Sequence, residues 1–205
     1  MRTNHPALPP AAEVGGSDQA TDYKGRSLCL YHPNAKGTGS ALRLEPRINR
    51  DDRDRYNCFF LEMASQKGVA TRPGGSVGNA SFDWEDKITV KLGFMDIAEC
   101  LTVLEGRADK VGAGRNGLYH ATGAGSTLIA FMANREQGTF YLSLSAKRTG
   151  EEAPRKVGMT LSGVEATGLR CLLQTGLFFV TFSSRFGGGI PRRSHRLALV
   201  DGVDV

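Results

Sequence analysis

The chain has 205 residues, of which 40% are hydrophobic, and a formal net charge of +5. That is enough apolar content for one sizeable core, without a run of 18 apolar residues that would span a bilayer and without a CxxC pair among the four cysteines. Residues 1–22 carry one base and three acids, whereas residues 185–205 carry four arginines and two aspartates, so the middle of the chain holds the positive excess. A basic globular middle fits a polyanionic partner.

In the first half, alternating apolar and polar residues predict strands at 27–31, 40–45, 58–65 and 87–92. Pro46 is expected to end the second strand, and a charged loop (47–55) and a Gly-rich connection (67–81) flank the third. A helix is predicted over 94–106, with Gly106 as its terminator. In the third strand, one set of alternate residues is expected to face the core and the other to face outward. The inward set is Phe59, Leu61 and Met63, and the outward set is Phe60, Glu62 and Ala64.

The second half predicts strands at 118–121, 126–133, 139–147 and 155–161. Ser162 is expected to cap a second helix, with Glu165 at the capping-box position. Residues 177–182 read as a separate apolar segment that packs onto the core. The apolar residues expected on the second helix are Val164, Leu169, Leu172 and Leu173.

The two halves resemble each other. Residues 59–64 read like 140–145, and residues 88–92 read like 157–161. Each member of the second pair precedes a predicted helix with an acidic first turn. A duplicated unit of strands and helix predicts two similar sheets with aromatic and basic residues on their outer faces. Such faces favour the binding of an extended polymer over chemistry in a pocket.

Two motifs with catalytic associations lie in the wrong context. Residues 112–117 match GxGxxG, but a helix precedes them and a strand comes after, which is the reverse of a dinucleotide site. Residues 74–78 match GxSxG, but no helix comes after them as a nucleophile elbow requires. The dipeptide Gly-Lys of a phosphate-binding loop does not occur, and no carboxylate pair stands out. We therefore expect no enzyme activity, no cofactor and no metal.

Three features together resemble the Whirly family of single-stranded DNA-binding proteins. Residues 36–46 (Lys-Gly-Thr-Gly-Ser-Ala-Leu-Arg-Leu-Glu-Pro) are similar to that family's lysine-glycine-lysine-alanine-alanine-leucine stretch and the valine-glutamate-proline after it. Residues 82–87 (Phe-Asp-Trp-Glu-Asp-Lys) are similar to its tyrosine-aspartate-tryptophan before the fourth strand. The third feature is the order of elements, four strands and a helix, twice over. The resemblance covers about residues 23–183.

This resemblance implies an α+β fold in which two four-stranded antiparallel sheets pack crosswise and each is followed by a helix. It also implies a homotetramer that binds single-stranded DNA, largely independently of sequence, in recombination, repair or replication. RNA binding or strand annealing by the same fold stays open, as does a structural oligomerisation module that binds a protein.

A single-strand site needs cations for phosphates and aromatic faces for bases. Lys36, Arg43 and Lys91 are expected to contact phosphates and Tyr141 to stack on a base, whereas Trp84 is expected to anchor the core. Lys87 and Lys91 could instead be a solvated strand face, and Phe60 and Tyr141 could pack at a subunit interface. The candidate nucleic-acid-binding residues are Lys36, Arg43, Phe60, Lys87, Lys91, Tyr141 and Lys147.

The predicted organisation is a disordered tail over 1–22, a nucleic-acid-binding domain over 23–183 and a flexible tail over 184–205. Residues 1–22 have neither the apolar stretch of a secretory signal nor the basic character of a transit peptide. A cytoplasmic bacterial or phage protein with no membrane partner is therefore expected.

Overall fold

The computed structural model describes residues 27–47, 57–70, 79–112 and 114–186. The predictions for the two tails, for most of the charged loop and for the GxSxG match at 74–78 lie outside the described residues.

The described residues form two antiparallel sheets, each followed by a helix, as the sequence predicts. In the first sheet the order is β1-β2-β3, and both β4 and β5 pair with β3. In the second sheet the order is β6-β7-β8-β9. The strands are β1 (Leu28–His32), β2 (Ser40–Arg47), β3 (Cys58–Gly68), β4 (Ser81–Phe82), β5 (Ile88–Leu92), β6 (Leu118–Thr122), β7 (Gly125–Asn134), β8 (Thr139–Arg148) and β9 (Arg155–Leu161), and the helices are α1 (Phe94–Leu104) and α2 (Gly163–Phe186).

The core lies between the inner faces of the two sheets and the two helices. Alternate residues of every strand point inward, so each long strand supplies a row of buried apolar side chains. The sheets meet where β2 and β3 approach β9 and where β5 approaches β8. The largest fully buried hydrophobic side chains are Phe131, Leu42, Met63, Ile97, Ile129, Leu144, Leu161, Leu173, Val103 and Val111.

The prediction that Pro46 ends its strand is wrong, because β2 continues to Arg47 and Pro46 pairs with Phe59 of β3. The pairing of β1 with β2 reaches only as far as Leu28 opposite Leu44. Beyond that point β3 is the only neighbour of β2 within the described ranges, and a residue without an N–H group is tolerated at such an edge. The sequence also has no recognisable pattern for β4, which is two residues long. With β4 the first sheet has five strands instead of the four predicted.

Each helix begins at a capping interaction with an acidic residue of its first turn. The Gly93 N–H donates to Asp96 Oδ2 at 2.8 Å at the start of α1, and the Ser162 N–H donates to Glu165 Oε2 at 2.8 Å at the start of α2. Each acid thus satisfies a backbone donor that the helix leaves free. Gly106, with φ of +74°, closes α1 as predicted.

Two histidine–carboxylate pairs join the duplicated units crosswise. His32 of β1 contacts Glu165 of α2, with 2.7 Å between Nε2 and Oε1. His120 of β6 contacts Asp96 of α1, with 3.0 Å between Nε2 and Oδ1. In both cases the first strand of one unit bonds to the capping acid of the other unit's helix, which fixes each helix against the opposite sheet.

The second helix differs from its prediction. Residues 177–182 are not a separate segment but continue α2, in which Leu177 and Val180 pack against the core. Val164 is 84% exposed and Leu172 is 43% exposed, so these two expected core residues face outward. No helix among the described residues is long and apolar enough to cross a membrane.

Helix α2 approaches the first sheet closely at Gly176. A Cβ atom at this position would overlap the ring of Phe59, which is only 5% exposed, whereas a Cβ atom at Gly168 of the same helix would meet nothing within 4 Å. The absence of a side chain at residue 176 therefore sets the distance between α2 and the sheet.

We expect Gly176→Ala to lower the free energy of unfolding by about 1–3 kcal/mol, because the added methyl group overpacks the contact with Phe59. Gly168→Ala is the matched control and should raise the free energy of unfolding by about 0.5–1 kcal/mol through helix propensity alone. Urea unfolding of both variants measures the difference. A neutral Gly176→Ala variant would contradict the close packing of α2.

Candidate nucleic-acid interface

The outer face of the first sheet is organised around the carboxylate of Glu62. Register places Arg43 of β2, Glu62 of β3 and Thr89 of β5 in one row across the sheet. Arg43 donates to Glu62 Oε2 through Nε at 2.6 Å and also through its terminal nitrogen. Lys87 Nζ lies 2.9 Å from Glu62 Oε1, and the Thr89 hydroxyl donates to the same oxygen at 3.3 Å. One carboxylate therefore holds two cations in place.

Glu62 lies on the outer face, as strand alternation predicts, but it is only 8% exposed. Burial raises the pKa of Glu62, but the hydrogen bonds and charges of Lys87 and Arg43 outweigh burial and hold the pKa below its ordinary value of 4.5. Glu62 is therefore ionised at neutral pH, and its charge is matched locally by the two cations.

Three aromatic residues pack beside Arg43 on this face, and we call Tyr31, Phe82, Trp84 and Arg43 the Trp84 cluster. The Arg43 guanidinium lies 5.0 Å from the centre of the Trp84 ring. The Tyr31 ring lies edge-on to Trp84 at 6.5 Å and 5.5 Å from the Phe82 ring. Tyr31 is 52% exposed, so the cluster presents an aromatic surface to solvent.

The expectation that Trp84 anchors the core is wrong. Trp84 is partly exposed and lies outside the buried cluster between the sheets. It follows β4, and β4 pairs with the far end of β3, which brings Trp84 to the outer side of the sheet next to Arg43. Ala41 and Ala64 lie on the same face, as alternation predicts for Ala64, and both are fully buried.

A second aromatic–cation row lies nearer the other end of the first sheet. Glu45, Phe60 and Lys91 are cross-strand neighbours on β2, β3 and β5. The Arg47 guanidinium lies 5.8 Å from the centre of the partly exposed Phe60 ring, and Arg47 also pairs with Glu45 at 3.2 Å. Phe60 therefore points outward, as strand alternation predicts, and its ring lies beside the cations Arg47 and Lys91.

The outer face of the second sheet carries the duplicate of Phe60. Tyr141 occupies the matching position on β8, between Met132 of β7 and Thr160 of β9. Lys156 Nζ lies 5.7 Å from the centre of the Tyr141 ring. Lys147, further along β8, is exposed and has no carboxylate partner among the described residues.

A basic cleft of about 260 Å³ lies where the two sheets meet. Lys91 of β5 lines one side, and Lys147 and Arg148 of β8 line the other, with His120 and Thr127 between them. Arg148 shares Asp86 with Arg155, and these two arginines hold the pKa of that exposed carboxyl below its ordinary value. The cleft therefore places cations from both sheets together.

The structure thus brings most of the predicted residues to outer faces but divides them among several places. Arg43 and Lys87 meet at Glu62, Phe60 stands beside Lys91, and Lys91 meets Lys147 in the basic cleft. Tyr141 lies apart on the second sheet. Lys36 is exposed in the β1–β2 turn, where the Asn34 side chain accepts its backbone N–H at 3.0 Å.

Several residues of these faces were not predicted as functional. Tyr31 could have been placed by strand alternation, because it lies opposite Ala41 and on the same side as Arg43. Phe82 and Trp84 gave no such signal, because β4 is two residues long. The interface residues that were not among the predicted nucleic-acid-binding residues are Tyr31, Arg47, Glu62, Phe82, Trp84 and Lys156.

The GxGxxG stretch lies between α1 and β6, as its sequence context predicts. The Gly112 N–H donates to Glu99 Oε2 of α1 at 2.7 Å, so this backbone group is used in holding the loop to the helix. Among the described residues, no group of three or more His, Cys, Asp or Glu side chains could hold a metal ion.

No protein-family model and no curated protein matches the chain significantly. Solved structures do match it. WHY3 from Arabidopsis thaliana is similar with a TM-score of 0.60 and 16% identity over 79% of this chain and 92% of that one. The plant transcriptional regulator PBF-2 has a TM-score of 0.58 and 16% identity, and the match covers 76% of this chain and 82% of that one. Trypanosoma brucei MRP1/MRP2 has a TM-score of 0.54 and 22% identity, and the match covers 78% of this chain and 88% of that one. The chain therefore has a Whirly-like fold.

We expect Glu62→Gln to lower the free energy of unfolding at pH 7 by about 1–3 kcal/mol, because Arg43 and Lys87 lose their shared charge partner. A carboxyl group whose pKa is lowered on folding stabilises above its ordinary pKa and loses that effect as pH falls. The difference between wild type and Glu62→Gln should therefore shrink as pH falls below 4.5.

Glu45→Gln is the control on the same face, because its partner Arg47 is largely exposed and such pairs contribute little. Urea unfolding between neutral and acid pH measures both variants. A stability gap for Glu62→Gln that stays constant with pH would contradict the role of the ionised carboxylate.

Proposed function

We propose that this protein binds single-stranded nucleic acid through the outer faces of its sheets, without catalysis and largely independently of sequence. The observation that carries the proposal is the repeated placement of an aromatic ring beside a cation on the outer faces of the sheets. Arg43 with Trp84, Arg47 with Phe60 and Lys156 with Tyr141 are three such pairs. Rings of this kind stack on unpaired bases of any sequence, and cations bind the phosphates between them.

Single-stranded DNA is the proposed ligand, with a role in recombination, repair or replication. The Whirly-like fold and the similarity of residues 36–46 and 82–87 to that family support this choice. The second candidate is RNA binding or strand annealing. It is favoured by a structural neighbour described as a guide-RNA-binding protein complex bound to a guide RNA, at a TM-score of 0.53 and 21% identity. The two ligands differ in the sugar 2′-hydroxyl, which RNA carries and DNA lacks.

We propose further that the chain forms a homotetramer through α2. The second half of this helix exposes Phe178, Phe179 and Phe182, each by 46–48%. Phe179 also lines an apolar cavity of about 430 Å³ between α2 and the inner face of the first sheet. Contiguous exposed apolar surface of this type marks an interaction site. A module that uses this surface only to assemble with a protein is the alternative from another functional class.

We expect the protein to bind an oligothymidylate of about 20 nucleotides more tightly than a duplex of the same length, because stacking requires unpaired bases. Fluorescence anisotropy at several salt concentrations measures both affinities, and the logarithm of affinity should fall linearly with the logarithm of salt. Oligodeoxyuridylate and oligouridylate of equal length compare the two sugars on the same base. Equal affinity for duplex and single strand would contradict the proposed site, and no salt dependence would favour the protein-binding module.

Light scattering should give a tetramer mass at micromolar concentration. Replacing both Phe178 and Phe182 by Asp should reduce the mass without unfolding the chain, because both rings are about half exposed in one protomer. The double replacement by Leu keeps the surface apolar and is the matched control. A monomer mass for the wild-type protein would contradict the proposed assembly.

A further inference from the structure

The two outer faces come from a duplicated unit, yet they differ in aromatic content and in free charge. The first sheet carries the three rings of the Trp84 cluster in addition to Phe60. The outer face of the second sheet carries fewer described rings, Tyr141 of β8 and the exposed Tyr119 of β6, and β7 separates their strands. The difference arises because Trp84 and Phe82 come from the β3–β5 connection, which is longer than its counterpart between β8 and β9.

The cations of the first face are largely committed to a carboxylate. Arg43 and Lys87 both bond to Glu62, so this pair and its acid together retain a single positive charge. The Arg43 guanidinium also lies over the Trp84 ring, 5.0 Å from its centre. A cation that must give up a buried partner gains less from a phosphate than one that only releases solvent. This face is therefore suited to stacking more than to phosphate binding.

The cations of the second face are not committed in this way. Lys147 and Lys156 are exposed, and neither forms an ion pair with a carboxylate within the described part of the chain. Phosphate contacts by such lysines release condensed counterions and give binding its salt dependence. Lys147 also reaches the basic cleft, where it meets Lys91 of the first sheet, so the two faces adjoin there.

We infer that the two faces divide the recognition of one strand: the Trp84 cluster is a stacking site for an unpaired nucleobase, and Lys147 and Lys156 bind phosphates. This inference rests on the proposed function and assigns its two physical components to different sheets. Stacking on the cluster makes binding depend on the presence of bases but not on salt. The lysines make binding depend on salt but not on bases.

Two ligand probes separate these components: an oligothymidylate of about 20 nucleotides and an abasic strand of the same length, which keeps the phosphates and lacks the bases. Trp84→Leu should weaken binding of the oligothymidylate by about 10-fold and leave both the affinity for the abasic strand and the salt slope unchanged. Lys147→Gln combined with Lys156→Gln should weaken both probes by the same factor and reduce the salt slope by about two.

The controls keep the outcomes distinct. Arg107→Gln removes an exposed positive charge in the turn after α1, outside the Trp84 cluster and the second sheet, and should change neither probe by more than a small factor. Thermal unfolding confirms that Trp84→Leu is folded, and Tyr31→Leu provides a second variant of the cluster. Equal weakening of both probes by Trp84→Leu and Tyr31→Leu, or a lysine effect confined to the oligothymidylate, would overturn the division. If the wild-type protein binds neither probe, the proposed function itself fails.

Discussion

The arrangement of the outer face of the first sheet depends on one buried carboxylate. Glu62 lies in the middle of β3, between neighbours that point into the core, so strand alternation directs it outward. There it has no water shell to stabilise its charge and instead takes Arg43, Lys87 and Thr89 as partners. Arg43, once fixed, supports the Trp84 ring, and Trp84 orients Tyr31. The aromatic surface is thus a consequence of satisfying one charge.

The two faces keep a fixed relation because the duplicated units are joined crosswise. His32 and His120 each bond to the capping acid of the helix that belongs to the other unit. Arg155 at the start of β9 pairs with Asp86 and also donates to the Lys87 carbonyl at 3.2 Å, which connects the second sheet to the turn before β5. These polar contacts surround a continuous apolar core. The cations of the two sheets therefore adjoin at a defined place, the basic cleft.

Much of the fold could be predicted because it follows from local rules. Strand alternation placed Phe59, Leu61 and Met63 in the core, and the capping acids Asp96 and Glu165 marked both helix starts. The errors came from tertiary context. Alternation gave the direction of Glu62 but not its burial, which depends on side chains from β2 and β5. Helical periodicity could not show that Val164 and Leu172 face outward, because the helix covers only part of the sheets.

The candidate site shows the same limit. Outward strand residues such as Arg43, Phe60 and Tyr141 were accessible to sequence reasoning, but Trp84 was assigned to the core, where tryptophans are highly buried on average. Its position depends on β4, which pairs two residues with the end of β3 and has no periodicity to detect. The sequence likewise did not predict that Arg43 and Lys87 pair with Glu62. The three residues are far apart in the chain, and only the sheet register brings them together.

Trp84 is the single tryptophan of the chain, so its intrinsic fluorescence reports directly on the Trp84 cluster. Titration with an oligothymidylate, at salt concentrations where anisotropy shows complete binding, tests whether a base reaches this site. Stacking of an unpaired base on the cluster predicts strong quenching of the Trp84 emission that saturates together with the anisotropy, whereas the abasic strand leaves the emission nearly unchanged. Complete binding of the oligothymidylate without any change in Trp84 emission would contradict single-strand recognition by the outer face of the first sheet.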